Sequence, residues 1–186
     1  MSMTQTLCEP QDVLSFWFED IDPENWYKAH PTLDAECDRR FRASHLALSR
    51  EVPPAWRETP EGRLATLILF DQMSRNIYRG SPLAFATDGL ARREARLALE
   101  AGADQAVEPV RRAFFYLPFE HSEAMPDQDL AVQLFTALGD PVLLDFAVRH
   151  REIVARFGRF PHRNAILGRL PSPQEEAFLL QPGSRF

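Results

Sequence analysis

Proline and glycine punctuate this chain so regularly that they leave room for little except short helices. Fifteen prolines and eight glycines are spread along 186 residues, many of them beside residues that start or stop a helix. Thr59-Pro60, Ser81-Pro82, Asp140-Pro141 and Ser172-Pro173 each set a side-chain acceptor before a proline. That pairing opens a helix, because the acceptor takes a first-turn N–H and proline lacks an N–H that would be unpaired there anyway. Gly102, Gly139 and Gly158 close segments, since glycine adopts the left-handed turn past a helix end without steric cost. Between these marks apolar residues recur at three- and four-residue spacing, and no alternating run is long enough for a strand.

The spacing predicts a first helix over residues 10–19, carrying Val13, Leu14, Trp17 and Phe18. Thr32 is expected to cap a longer one striped by Leu33, Cys37, Phe41 and Leu48. The helix opened by Thr59-Pro60 is almost wholly apolar from Leu64 to Phe70, which marks it as central and buried on most sides. Further helices are expected over 87–101, from 108 to a kink or break at Pro118, from Pro126 to Gly139, over 141–157, and from the Ser172/Glu175 capping box through Leu180. Trp17, Phe18, Trp26, Phe114, Phe115 and Phe135 are the expected aromatic core, and Phe186 is expected either to dock back or to fray. The whole predicts one all-α domain over residues 1–186, built of stacked antiparallel helix pairs.

Composition removes several functions. A net charge of −6 at pH 7 disfavours nucleic acid and anionic membrane as partners. No apolar run approaches the roughly 20 residues needed to span a bilayer. The N-terminal segment lacks the basic start and apolar core of a signal peptide, so a cytoplasmic location is expected. Cys8 and Cys37 have no paired-thiol spacing. Lys28 is the only lysine among 21 Lys and Arg, which excludes a phosphate loop ending in Lys-Ser/Thr and limits any Schiff base to that residue. There is no Gly-x-Ser-x-Gly elbow.

The chemistry is expected where polar groups fall on apolar faces. Asp71 follows Leu64, Leu67 and Ile68 at helical spacing, and Arg75 lies one turn beyond it, within reach of an ion pair. Glu120 and His121 come just after Pro118, in line with faces formed by Ala113 and Tyr116 and by Val110, Phe114 and Leu117. His150 interrupts a stripe of Leu143, Phe146, Ala147, Ile153, Val154 and Phe157. His162 lies in Arg156-Phe-Gly-Arg-Phe-Pro-His-Arg-Asn164, a turn of alternating aromatics and cations. Asp71, Glu120, His121, His150 and His162 are therefore the candidate catalytic residues. His30 and His45 read as loop or surface positions. No His-Glu-x-x-His, Glu-x-x-His or cysteine-pair spacing is present, so neither a metal nor a cofactor is expected. Arg75, Arg79, Arg159, Arg163 and Asn164 are candidate ligand-binding residues for an anionic small molecule or peptide.

Several stretches resemble the bacterial domain-of-unknown-function family 924. They are Val13-Leu14-x-Phe16-Trp17-Phe18, Asp71-Gln72-x-x-Arg75-Asn76-Ile77-Tyr78-Arg79-Gly80, Phe115-Tyr116-Leu117-Pro118-Phe119-Glu120-His121-Ser122-Glu123 and the Arg156–Asn164 segment. The resemblance covers nearly the whole chain. It implies a tetratricopeptide-like helical stack and no reaction. The leading reading of the polar residues is an internal polar pocket binding an anionic small molecule or peptide; the alternatives are an acid/base enzyme of hydrolase or lyase type and a purely structural lock between helices.

Overall fold

The computed structural model describes residues 7–184, and the expectations for Phe186 lie outside them. The described residues are all-α: helices and short turns, with no strand. The helices are α1 (Pro10–Ser15), α2 (Pro31–Leu48), α3 (Pro60–Leu67), α4 (Ser74–Ile77), α5 (Asp88–Glu100), α6 (Pro109–Glu120), α7 (Met125–Leu138), α8 (Pro141–Phe157) and α9 (Pro173–Leu179). None of them is long and apolar enough to cross a membrane. They fall into two compact units, one of residues 7–79 and 83–118, the other of 80–82 and 119–184.

The first unit is organised around a helix without one uniform pitch. α3 passes into a π-helical turn, Ile68–Met73, and then into α4. Residues Leu64, Ile68, Leu69 and Phe70 on this stretch have no exposed surface. α1, α2 and α5 pack around it. On α5, Ala91, Ala95 and Ala98 are wholly buried. A second π-turn, Phe16–Asp20, extends α1. Single π-turns widen a helix by one residue and recur at functional sites; the one at Ile68–Met73 carries Asp71.

In the second unit α7 and α8 fold back on each other across Gly139 and Asp140. Gly139 takes the left-handed conformation at φ 80°, and Asp140 accepts from the Val142 and Leu143 N–H groups. Ile153, Val154 and Phe160 form a core against which Met125, Phe157 and Phe178 pack. Ala131 and Phe135 are wholly buried on α7.

Local signals located the helix ends well. Thr59 caps α3 through the Gly62 N–H, and the Ser172/Glu175 capping box forms as expected. Four expectations need correction. α2 begins two residues earlier than expected, with Pro31 in its first turn and His30, not Thr32, as its cap. Pro118 lies inside α6 without dividing it, because it stands so near the end that little of the hydrogen-bond ladder remains to be broken. Val110 and Phe146 are exposed, at 54% and 41%, so neither helical stripe is continuous.

The fourth correction concerns His45, which is buried at 3% exposure. Its Nε2 lies 3.2 Å from the Thr87 hydroxyl, which donates to the Phe70 carbonyl at 2.7 Å. That leaves Nε2 as the donor and Nδ1 as the acceptor facing the Tyr78 hydroxyl at 3.1 Å. Sequence spacing could not find these partners, which come from three separate segments.

Gly62 provides a test of the packing at the start of α3. A Cβ there would lie 2.5 Å from the Trp56 carbonyl oxygen. Gly62→Ala is expected to destabilise the protein by about 1–3 kcal/mol through overpacking, although alanine is the better helix former by ~1 kcal/mol. Denaturant unfolding measures it, and an unchanged or raised midpoint would refute the close packing.

Candidate functional site

The expected site residues divide between the two units. Asp71, Arg75 and Arg79 belong to the first. Glu120, His121, His150, Arg159, His162, Arg163 and Asn164 belong to the second.

In the first unit the π-turn presents Asp71 inward, at 1% exposure. Asp71 accepts from Gln72 Nε2 at 2.5 Å, and its Oδ1 lies 3.4 Å from Arg75 Nη1, so the expected ion pair is present. Arg75 also grips Asp88 at the start of α5 through both terminal nitrogens, at 3.1 and 3.2 Å. One turn on, Arg79 holds Asp34 of α2 at 2.5 and 2.8 Å, and Asn76 donates to the same carboxylate at 2.8 Å. These contacts tie α2 and α5 to the end of the central helix. An incoming anion at Arg75 or Arg79 would compete with a carboxylate already seated in bidentate geometry.

In the second unit α6 ends at Glu120, and the chain turns sharply through His121 and Ser122 before α7. Glu120 projects from this helix end toward α8, where His150 stands. Both are buried, at 4% and 5% exposure. His150 Nδ1 lies 2.8 Å from the Phe146 carbonyl oxygen and 3.2 Å from Glu120 Oε1. A backbone carbonyl only accepts, so Nδ1 must carry the hydrogen and Nε2 the lone pair. The His121 ring lies 6.2 Å from that of His150, between centroids. Phe160 meets His150 edge-on at 5.5 Å, and His162 lies 5.6 Å from Phe160 on its own segment. His150 thus meets His121 and Glu120 on one side and the wholly buried Phe160 ring on another, and Phe160 in turn meets His162.

Burial and neighbouring cations keep two of these imidazoles neutral. Burial pushes the His150 imidazolium down to about 3, and the neighbouring His121, His162 and Arg163 oppose its charge further. Burial, then Arg163, brings His162 down to about 4. No group of three or more His, Cys, Asp and Glu side chains among the described residues is arranged to hold a metal ion.

The cations of the Arg156–Asn164 turn support the cluster from outside. Arg163 lies over the Phe160 ring at 4.6 Å and donates to the His121 carbonyl at 3.0 Å. Arg159 holds Glu175 in two contacts of 2.6 and 2.8 Å, and that pairing brings the carboxyl down to about 2. Arg169, which the sequence reading missed, pairs with Glu123 at 2.7 and 2.9 Å and also donates to Phe160 O and Asn164 Oδ1. Glu123 in turn accepts the Phe160 N–H at 2.8 Å. Burial alone would raise Glu123, but Arg169 and the Phe160 N–H outweigh it and hold it below the usual carboxylate range. Arg169 gave no local signal, because it follows the turn in a segment with no helical stripe.

A profile of the family described as "Bacterial protein of unknown function (DUF924)" matches residues 13–183. A solved structure of a protein of unknown function from Agrobacterium tumefaciens is similar to this chain at 42% identity and a TM-score of 0.87, covering 91% of this chain and 96% of that one. No curated protein matches at a significant level. The chain belongs to the DUF924 family.

The buried histidines make stability depend on pH. In the unfolded chain a histidine takes up its proton near pH 6.5, whereas His150 and His162 do so only near 3 and 4 in the folded one. The unfolded state therefore binds more protons between those limits, and stability falls as pH drops from about 6.5 toward 4. The expected slope approaches ~1.4 kcal/mol per pH unit for each such histidine. His150→Gln should reduce the slope by about one proton in unfolding curves recorded from pH 7 to 4.5. An unchanged slope would show that His150 is not held neutral by the fold.

Proposed function

We propose that this DUF924 member is an acid/base enzyme, of the hydrolase or lyase class, whose proton-transfer pair is His150 and Glu120. The observation that carries the reading is the placement of His150 Nδ1 against both the Phe146 carbonyl and Glu120 Oε1. That contact presets one tautomer and leaves the Nε2 lone pair as the base. A carboxylate on the far nitrogen orients the ring and stabilises the imidazolium that forms as a proton arrives. Burial keeps the imidazole unprotonated at neutral pH, so the base needs no prior deprotonation. His150 Nε2 would take a proton from a water or a substrate hydroxyl and return it to the leaving group. His121 and His162 supply further donors or acceptors beside the same ring.

Anion holding by Arg75, Arg79 and Arg159 is the weaker reading, since each guanidinium already spans a carboxylate. In the proposal Arg163 and Asn164 frame the histidine cluster, and Asp71 anchors the π-turn of its own unit.

A chromogenic panel of small esters, phosphoesters and amides tests the reading. Wild-type protein should turn over at least one member, and His150→Gln should lower kcat by about 10²–10⁴-fold with unchanged circular dichroism. Glu120→Gln should lower it in the same direction, because the imidazolium loses its counter-charge. Equal rates in wild type and a folded His150→Gln variant would sink the proposal.

A further inference from the structure

The turn that carries Glu120 and His121 is held by donors from elsewhere in its unit. A helix end leaves carbonyls without partners, and here successive ones are taken up in order. Ser122 N–H donates to Phe119 O at 3.1 Å, Gln128 Nε2 donates to both Glu120 O and Ser122 O at 2.6 Å, and Arg163 donates to His121 O at 3.0 Å. Gln128 stands in the first turns of α7 and has no exposed surface. Beside it, Asp127 accepts the Ser122 hydroxyl at 2.7 Å, and that hydroxyl accepts the Ala124 N–H at 3.2 Å. The turn is thus bolted to α7 by two neighbouring side chains. α7 in turn packs along α8, which carries His150.

We propose that Gln128 is the positioning residue of the Glu120–His150 pair: its two amide hydrogens fix the backbone of Glu120 and Ser122, and so set where the Glu120 carboxylate meets His150 Nδ1. The inference rests on the acid/base reading of that pair. Glutamine suits the place for a specific chemical reason. Two carbonyl oxygens on either side of one nitrogen require two hydrogens in a plane, without a buried charge. Glutamate would set its own acceptors against those carbonyls, lysine would bury an ammonium, and methionine of similar length has no donor. The amide's Oε1 is itself buried with no hydrogen-bond partner among the described residues. The donor end is the part that is used.

Nuclear magnetic resonance on the full chain tests the proposal in two arms. In the wild type, the Gln128 side-chain amide protons should exchange slowly, and the ring nitrogens of His150 should report Nδ1–H with an unprotonated Nε2. Rapid exchange of the Gln128 amide would overturn the positioning role whether or not any variant folds. In Gln128→Met, and in the milder Gln128→Asn, the His150 Nδ1–H resonance should shift as the Glu120 carboxylate moves off it, while the Phe146 carbonyl still holds the hydrogen on Nδ1. A folded variant that keeps the wild-type His150 Nδ1–H resonance while losing only melting temperature would overturn the proposal and leave Gln128 a purely structural residue. A wild-type His150 with its hydrogen on Nε2 would instead refute the acid/base reading itself, a result distinct from either Gln128 outcome.

Discussion

The bidentate guanidinium–carboxylate pair is the interaction on which both units depend. Arg57 grips Glu94, Arg75 grips Asp88, Arg79 grips Asp34, Arg159 grips Glu175 and Arg169 grips Glu123. Each pair joins segments well separated in sequence, and in several the carboxylate is almost fully buried. A buried carboxylate without a partner would be expelled or neutralised, so each must meet a cation with matching geometry. Only a planar fork makes two parallel hydrogen bonds to one carboxylate.

The histidines solve the same problem in the opposite way. His45, His150 and His162 are held neutral, chiefly by burial. A neutral imidazole is both donor and acceptor, so its neighbours dictate its tautomer. At His45 the Thr87 hydroxyl and Phe70 carbonyl put the hydrogen on Nε2. At His150 the Phe146 carbonyl puts it on Nδ1. The first arrangement closes a hydrogen-bonded chain within a packed core. The second sets a carboxylate beside the nitrogen that bears the hydrogen, and this difference separates the two histidines.

Much of the fold was legible because its signals are local. Thr59-Pro60, Asp140-Pro141 and the Ser172/Glu175 box act within one helical turn, and the glycine stops act through their own φ angle. The Asp71–Arg75 pair was legible for the same reason, one turn apart on a helix. The second partner of Arg75, Asp88, was not, because a chain reversal separates them. His45 was misread as a surface residue for a comparable reason: its partners Tyr78 and Thr87 lie more than thirty residues away. His150 stands out in the sequence as a polar residue among apolar ones, yet nothing in its neighbourhood names Glu120 as the contact. Gln128 and Arg169 carried no sequence signal, since their role is to donate to backbone carbonyls and carboxylates of other segments.

The sequence by itself therefore determined the helical character of the chain, the ends of most helices, the family and the residues that interrupt apolar faces. These follow from interactions spanning one turn or less, or from long ordered motifs. Only the tertiary structure decided which carboxylate each arginine holds, which nitrogen of each histidine bears the hydrogen, and which of the polar residues meet. Those outcomes depend on contacts between segments far apart in the chain, and on an interior that penalises any polar group left without a partner.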